Sequence, residues 1–365
     1  MRSPIMDILQ AIVDKKGISK ALLVLFCFYN GIHAELLPGA VISGSYGKYG
    51  SVVPEKTKQG NGLVVEHVVL YPQEAHDSDK TIIRNGVLAR SDDAKATILI
   101  CHGFMCDKYD VGILRKIFKK SQFNVMTFDF RAHGQDSQGQ YCTFGRDESL
   151  DVIAAARFLR DHPEIKDKPL FCYGFSMGAV SSIEAQSQAA DLFDAMILDC
   201  PFESSERVIK SGLEGLKCCV FGYEFDVPGK DLLQKYAFHP YVQALVKAVL
   251  KTVAQMDATG VSTNFCPLHP AESVKKITIP VFFIHCKNDQ KVGVDQVKRV
   301  YDGAAGYKRL WITNGRRHYD SFFYNPEKYT EQVRQFYNQV MDGDIHSMPQ
   351  EGIVEDDEDD DHLFG

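Results

Sequence analysis

The pentapeptide Gly174-Phe175-Ser176-Met177-Gly178 could turn a serine hydroxyl into a nucleophile. It follows Pro169–Tyr173, which reads as a buried strand, and opens Met177–Ala190, a run of small and apolar residues that reads as a helix. So sharp a strand-to-helix turn holds the serine at strained backbone angles, and glycines at 174 and 178 leave room that a side chain would fill. Ser176 Oγ would then stand at the carboxyl edge of a sheet. The N-terminus of the following helix would face the point where negative charge develops.

A serine hydroxyl is too weakly acidic to attack an acyl carbon alone; it needs a base, and the base needs an orienting acid. Asp289 lies three residues beyond the apolar run ending at Cys286, and His318 lies five beyond Lys308–Thr313. Their chain order, Ser176, Asp289, His318, is the order such a site takes on a parallel sheet. Asp199, at the end of Ala195–Asp199, is the rival acid. His102, His133, His269 and His285 are the weaker bases. The oxyanion of the tetrahedral intermediate calls for two backbone N–H donors. Met177, after the nucleophile, supplies one. Phe104 in His102-Gly103-Phe104, or alternatively Met105, supplies the other. Asp129-Phe130-Arg131-Ala132-His133-Gly134 would brace the loops beside the site.

These residues must be positioned by a sheet. Ala96–Cys101, Asn124–Phe130, Pro169–Tyr173, Ala195–Asp199, Val281–His285 and Lys308–Thr313 read as buried strands. They alternate with helical spacing at Val111–Lys119, Asp151–Leu159, Met177–Ala190, Gly293–Tyr301 and Glu327–Met341. That alternation predicts an α/β fold with a mostly parallel central sheet and helices on both faces. Leu63–Leu70 and a run near Lys80–Arg90 suggest further strands. The alternation pauses over 202–266, which shows helical patches and no clear strand and reads as a helical cap insertion. Residues 35–62 read as a poorly structured lead-in, and 342–365 as an acidic, disordered tail.

The chain has 365 residues, 45% apolar and 24% charged, the composition of a globular protein rather than a disordered or fibrous one. The net charge is −7, and Glu351–Asp361 carries eight of the acids, so the body is nearly neutral and gives no argument for nucleic acid. Ten cysteines show no C-x-x-C spacing, and they read as thiols rather than as metal ligands or disulfides. Lys15, Lys16 and Lys20 precede the apolar run 21–28, and Ala34 closes a polar stretch. That is the order of a secretory signal over 1–34, and its apolar core is too short to span a bilayer. Export is the expectation, with a cytoplasmic protein carrying an amphipathic N-terminal helix as the alternative. The many thiols weigh toward the alternative.

From Ala96 to Met341 the sequence resembles the α/β-hydrolase superfamily, and within it bacterial serine hydrolases grouped with dienelactone-hydrolase-like and serine-aminopeptidase-like proteins. The resemblance is carried by His102-Gly103-Phe104, Asp129–Gly134, Gly174–Gly178, Asp199-Cys200-Pro201-Phe202, Ile279–His285 with Asp289, and Asn314-Gly315-Arg316-Arg317-His318. The doubled arginine before His318 departs from the shorter Gly-to-His spacing frequent among relatives. The resemblance implies an α/β-hydrolase domain over 63–341 that acts on a small acyl ester without metal or organic cofactor, with the 202–266 insertion covering the site. Relatives cleave esters, acylglycerols, thioesters and peptides. A serine peptidase or amidase is therefore the second expectation, and a non-catalytic binding protein on the same scaffold the third.

Overall fold

The computed structural model describes residues 48–60, 62–72, 82–118, 122–134, 140–214, 217–220, 223–226, 235–236, 238–239, 241–242, 263–344 and 351–356. The segment 1–34, expected as an export signal, lies outside them. Ten strands form one sheet: β1 (Gly50–Gly60), β2 (Leu63–Leu70), β3 (Arg84–Arg90), β4 (Ala96–Cys101), β5 (Phe123–Phe128), β6 (Leu170–Phe175), β7 (Ala195–Asp199), β10 (Val281–Cys286), β11 (Lys308–Thr313) and β12 (Glu351–Glu355). Their order is β1-β2-β3-β5-β4-β6-β7-β10-β11-β12. From β5 to β12 the neighbours are parallel; β1, β2 and β3 are antiparallel, and β3 joins β5 antiparallel.

The central strands are apolar throughout because both faces of the sheet are covered. Leu170 and Cys172 of β6 enter one core, with α1 (Glu148–Asp161), α2 (Met177–Gln188), and α5 (Val294–Gly303). Phe171, Tyr173 and Phe175 enter the other, with a 3-10 helix (Asp110–Lys116), α6 (Ser321–Tyr324) and α7 (Pro326–Asp342). The period-2 alternation of a strand sorts them. Helix α7 starts at Asn325, whose side chain accepts the Lys328 N–H, and stops at Gly343, which takes the left-handed φ of 74°.

Three stretches differ from the sequence expectation. The lead-in over 35–62 supplies strand β1 from Gly50. Its register shifts between Val53 and Lys58, around Pro54, and an edge strand tolerates proline at such an irregularity. The insertion 202–266 holds α3 (Ser205–Glu214), but also an antiparallel hairpin, β8 (Lys217–Val220) with β9 (Tyr223–Asp226). Four-residue strands are too short to show a period. The helical patches expected over 231–257 fall mostly outside the described residues. A short helix, α4 (Pro270–Ser273), follows the insertion.

The acidic tail expected over 342–365 contributes β12, parallel to β11. An edge strand needs backbone pairing and little burial, so Ile353 and Val354 stay exposed amid the acids. It is anchored by Asp356, whose Oδ1 accepts Trp311 Nε1–H at 2.9 Å and Lys328 Nζ at 2.7 Å. Trp311 is the chain's single tryptophan. Asp356→Ala should therefore change its emission and lower unfolding stability by about 1–3 kcal/mol, since the indole N–H stays buried without an acceptor. An unchanged spectrum and denaturation midpoint would contradict this anchoring.

Candidate active site

Strand β6 ends at Phe175 and α2 begins at Met177, so a single residue makes the turn. Ser176 takes φ 52° and ψ −121°, and its N–H donates to Asp199 O at 2.8 Å. The two glycines are required by contact. A Cβ at Gly178 would lie 2.2 Å from Cys101 O, and one at Gly174 2.8 Å from Ala179 Cα, both backbone atoms that cannot swing aside. The other non-glycine residues with positive φ among those described are Met105, Ala132, Phe144, Cys200 and Tyr319. All five lie in segments following the carboxyl ends of β4, β5, β7 and β11, on the edge where Ser176 stands. Backbone strain concentrates where a site is assembled.

Ser176, His318 and Asp289 meet at that edge. His318 Nε2 lies 2.7 Å from Ser176 Oγ, and His318 Nδ1 lies 2.6 Å from Asp289 Oδ2. A carboxylate accepts only, so Nδ1 carries the proton and Nε2 offers a lone pair to the serine O–H. The side chain of Asp289 is wholly buried. Its Oδ1 accepts the N–H groups of Lys291 at 2.8 Å and Val292 at 3.0 Å. Burial pushes its carboxyl up. The His318 hydrogen bond and charge, the Val292 N–H and the charge of His285 together outweigh burial and hold it below the usual carboxylate range. The doubled arginine is absorbed in a tight loop. Arg316 and Arg317 are exposed, Arg316 N–H donates to Asp320 Oδ2 at 2.9 Å, and Asp320 N–H donates to Arg317 O at 3.2 Å.

The rival acid and bases are engaged elsewhere. Asp199 is buried; its Oδ2 accepts the Tyr329 O–H at 2.8 Å and its Oδ1 the Cys200 S–H at 3.1 Å. Tyr329 in turn meets the Tyr173 hydroxyl. Burial pushes the Asp199 carboxyl up to about 6, against the Cys200 and Tyr329 hydrogen bonds and the charge of His318. His285 is buried, with Nε2 2.9 Å from Val292 O. His269 is exposed, 3.6 Å from Glu206. His102 and His133 are buried in the loops around Phe104; burial pushes the imidazole of His102 down to about 3 and lowers that of His133, so both are neutral. Arg131 is committed to the buried Asp151, with hydrogen bonds of 3.1 and 2.9 Å.

Of the two N–H groups offered for the second oxyanion donor, that of Met105 donates to His133 Nε2 at 3.1 Å. The Phe104 N–H makes no hydrogen bond among the described residues. Met177 N–H is the first of α2, with no preceding turn to bond. An aromatic wall adjoins this loop, and sequence patterning does not reveal it. Phe104 packs on Phe144 at 4.6 Å between ring centroids, and Phe144 stacks on Phe265 at 4.9 Å. Phe144 has φ 59° and is fixed by the buried Glu148, which accepts the Thr143 and Gly145 N–H groups. Its only sequence signal is Glu148 at the start of a helix.

Cys200, His285 and Asp289 bring one donor atom each within 4.8 Å and are the one such trio among the described residues. Both Asp289 oxygens are already hydrogen-bonded, so a cation there would compete with His318.

Residues 92–217 match the family described as serine aminopeptidase, S33. The uncharacterized protein YqkD of Bacillus subtilis (strain 168) is 28% identical over 251 residues, 68% of this chain and 73% of that protein. The lysophosphatidylserine lipase ABHD12 of Danio rerio is 25% identical over 200 residues, 54% of this chain and 44% of that protein. Among solved structures, the Pyrococcus furiosus esterase Pf2001 superposes with a TM-score of 0.53 at 22% identity, covering 72% of this chain and 89% of that one. Acetyl xylan esterase 1 from Thermoanaerobacterium sp. JW/SL YS485 gives 0.52 at 14% identity, covering 80% and 87%. These likenesses show the fold, a mixed sheet between helices like that of the α/β-hydrolase esterases.

The Asp199 carboxyl has a measurable consequence. The folded state keeps its proton up to about pH 6, whereas an unfolded aspartate releases it near 4, so this group's stabilisation falls as pH rises between those values. Asp199→Asn removes that dependence. Its stability relative to wild type should rise by about 3 kcal/mol from pH 4 to pH 7. A stability difference that does not change with pH would contradict the assignment.

Proposed function

We propose that this protein is a serine hydrolase that cleaves carboxylic ester-type acyl bonds through an acyl-enzyme intermediate. The observation that carries the reading is the unbroken hydrogen-bond chain from Asp289 through His318 to Ser176, at 2.6 and 2.7 Å. In the proposed cycle Ser176 Oγ attacks the acyl carbon while its proton passes to His318 Nε2. Asp289 stabilises the resulting imidazolium and keeps the ring in its tautomer. The Phe104 and Met177 N–H groups hold the oxyanion. His318 returns the proton to the departing alcohol, then takes one from water as the water oxygen attacks the acyl carbon; the acid is released as His318 gives that proton back to Ser176 Oγ. Every proton moves through groups the chain supplies, so the cycle calls for no cofactor.

An ester of apolar acyl character fits the surroundings. The rings of Phe104, Phe144 and Phe265 flank the loop bearing the proposed oxyanion donor. Val180, Phe202, Leu268 and Val292 form an apolar cluster against Phe144 that reaches toward the Asp289 loop. The names of Pf2001, acetyl xylan esterase 1 and ABHD12 point to ester substrates as well. The second reading, a peptidase, is favoured by the description of the family that matches residues 92–217. The nearby buried acid Glu148 is spent on the Thr143 and Gly145 N–H groups, leaving the aromatic wall apolar.

Ser176→Ala should fold as wild type, lose turnover by about 10⁴-fold or more, and fail to react with a fluorophosphonate probe. A panel of p-nitrophenyl esters and aminoacyl p-nitroanilides should show turnover of the esters and little of the amides. Labelling retained in Ser176→Ala would exclude this nucleophile. Preferential cleavage of the anilides would replace the esterase reading with the peptidase one.

A further inference from the structure

The loop after β4 is tied to the loop after β5 at three points. His102 Nδ1–H donates to Gly103 O at 2.7 Å, and its Nε2 accepts the Phe130 N–H at 3.0 Å. Met105 N–H donates to His133 Nε2 at 3.1 Å, while His133 Nδ1–H donates to Arg131 O at 2.8 Å. Lys108 N–H donates to Asp129 Oδ1 at 2.8 Å, and its ammonium pairs with Oδ2. The first and third ties hold the ends of the segment. The second holds its middle, at Met105, where φ is 63°. His133 also sets its ring edgewise on Phe104, 5.7 Å between centroids.

We propose that His133 is a positioning residue for oxyanion stabilisation: by accepting the Met105 N–H it fixes the strained turn that leaves the adjacent Phe104 N–H as this loop's donor. The inference rests on the reading of the protein as a serine hydrolase. Three features assign the task to His133 rather than to general packing. His133 is 4% exposed, so the hydrogen bond is sheltered from water. Arg131 O takes the Nδ1 proton, which makes Nε2 an obligatory acceptor; the other tautomer would set two N–H groups against each other. And the peptide it grips is the one next to Phe104. A left-handed turn at a methionine is costly for an unbranched side chain, and without an acceptor the 104–105 peptide is free to relax. Relaxation swings the Phe104 N–H off the position that the oxyanion, and not the ground-state carbonyl, will occupy. The loss is therefore confined to the transition state, and it should appear in kcat and not in KM.

The test compares wild type, His133→Ala and His133→Gln in hydrolysis of p-nitrophenyl butyrate, with thermal melting alongside. Glutamine reaches the Nε2 position with an acceptor oxygen and can donate to Arg131 O. His133→Ala should lower kcat by about 10- to 100-fold, less than outright loss of an oxyanion donor, with KM within about twofold of wild type. It should weaken an alkyl boronic acid, which forms a tetrahedral serine adduct, by a similar factor. His133→Gln should recover most of kcat and of boronate affinity. If His133→Ala does not fold, His133→Gln alone decides, since retained kcat requires an acceptor at that position. Wild-type kcat in a folded His133→Ala, or a rise in KM with kcat unchanged, would overturn the inference while leaving the hydrolase reading intact. So would a His133→Gln that melts like wild type but loses kcat. Absence of turnover and of fluorophosphonate labelling in the wild type would overturn both.

Discussion

A hydrogen bond of 2.7 Å between Ser176 and His318 joins residues 142 apart in sequence, and much of the fold serves to hold its two ends. One end is fixed by sterics. Ser176 sits where β6 becomes α2, with glycines whose replacement would strike the backbone of Cys101 and Ala179. The other is fixed by electrostatics. His318 is on a loop, and a loop imidazole is held in one orientation only if something grips its far nitrogen. Asp289 does this with a carboxylate itself fixed by two backbone N–H groups. Strands β6, β7, β10 and β11 lie side by side in parallel, so the segments bearing Ser176, Asp289 and His318 emerge at one edge although the insertion 202–266 separates β7 from β10 in sequence.

Around this bond the same edge stores strain and buried titratable groups. Among the described residues, the non-glycine ones with positive φ lie there, as do the neutral imidazoles His102 and His133 and the Asp199 carboxyl held high by burial. Each is costly alone and persists because its neighbours over-determine it. Asp199 illustrates the division of labour between two acids. It ends the strand beside the nucleophile, and its carbonyl takes the Ser176 N–H, but its carboxyl turns into the Tyr329–Tyr173 pair. Asp289, one strand further, meets the imidazole. Two carboxylates in one neighbourhood thus have opposite displacements, one lowered by partners and one raised by burial.

The buried half of this arrangement is legible in the sequence because burial on both faces writes continuous apolar runs, and because the glycines at 174 and 178 answer to steric demands that few other residues meet. Ser176, Asp289 and His318 could be singled out since each follows such a run within a few residues. Strand β1, the β8–β9 hairpin and β12 were not legible for a common reason. Their place depends on backbone pairing at an edge or over four residues, and side-chain pattern is weakest there. In β12 the acids on either side dominate the composition while Gly352, Ile353 and Val354 lie along β11. The choice between Asp199 and Asp289, and between the Phe104 and Met105 N–H groups, depends on hydrogen bonds made across the sheet. The Met105 N–H is taken up by His133, 28 residues away, and no local spacing encodes that contact.

The central claim is that Ser176 becomes covalently acylated during turnover. Rapid acid quench of the wild-type protein mixed with p-nitrophenyl acetate, followed by peptide mass mapping, tests it most directly. The account predicts an acetyl increment on the peptide containing Ser176 that forms in the burst phase and decays at the rate of turnover, and it predicts no such increment in His318→Ala on the same timescale. Steady ester hydrolysis with no acetylated Ser176, or with the increment on another residue, would contradict it.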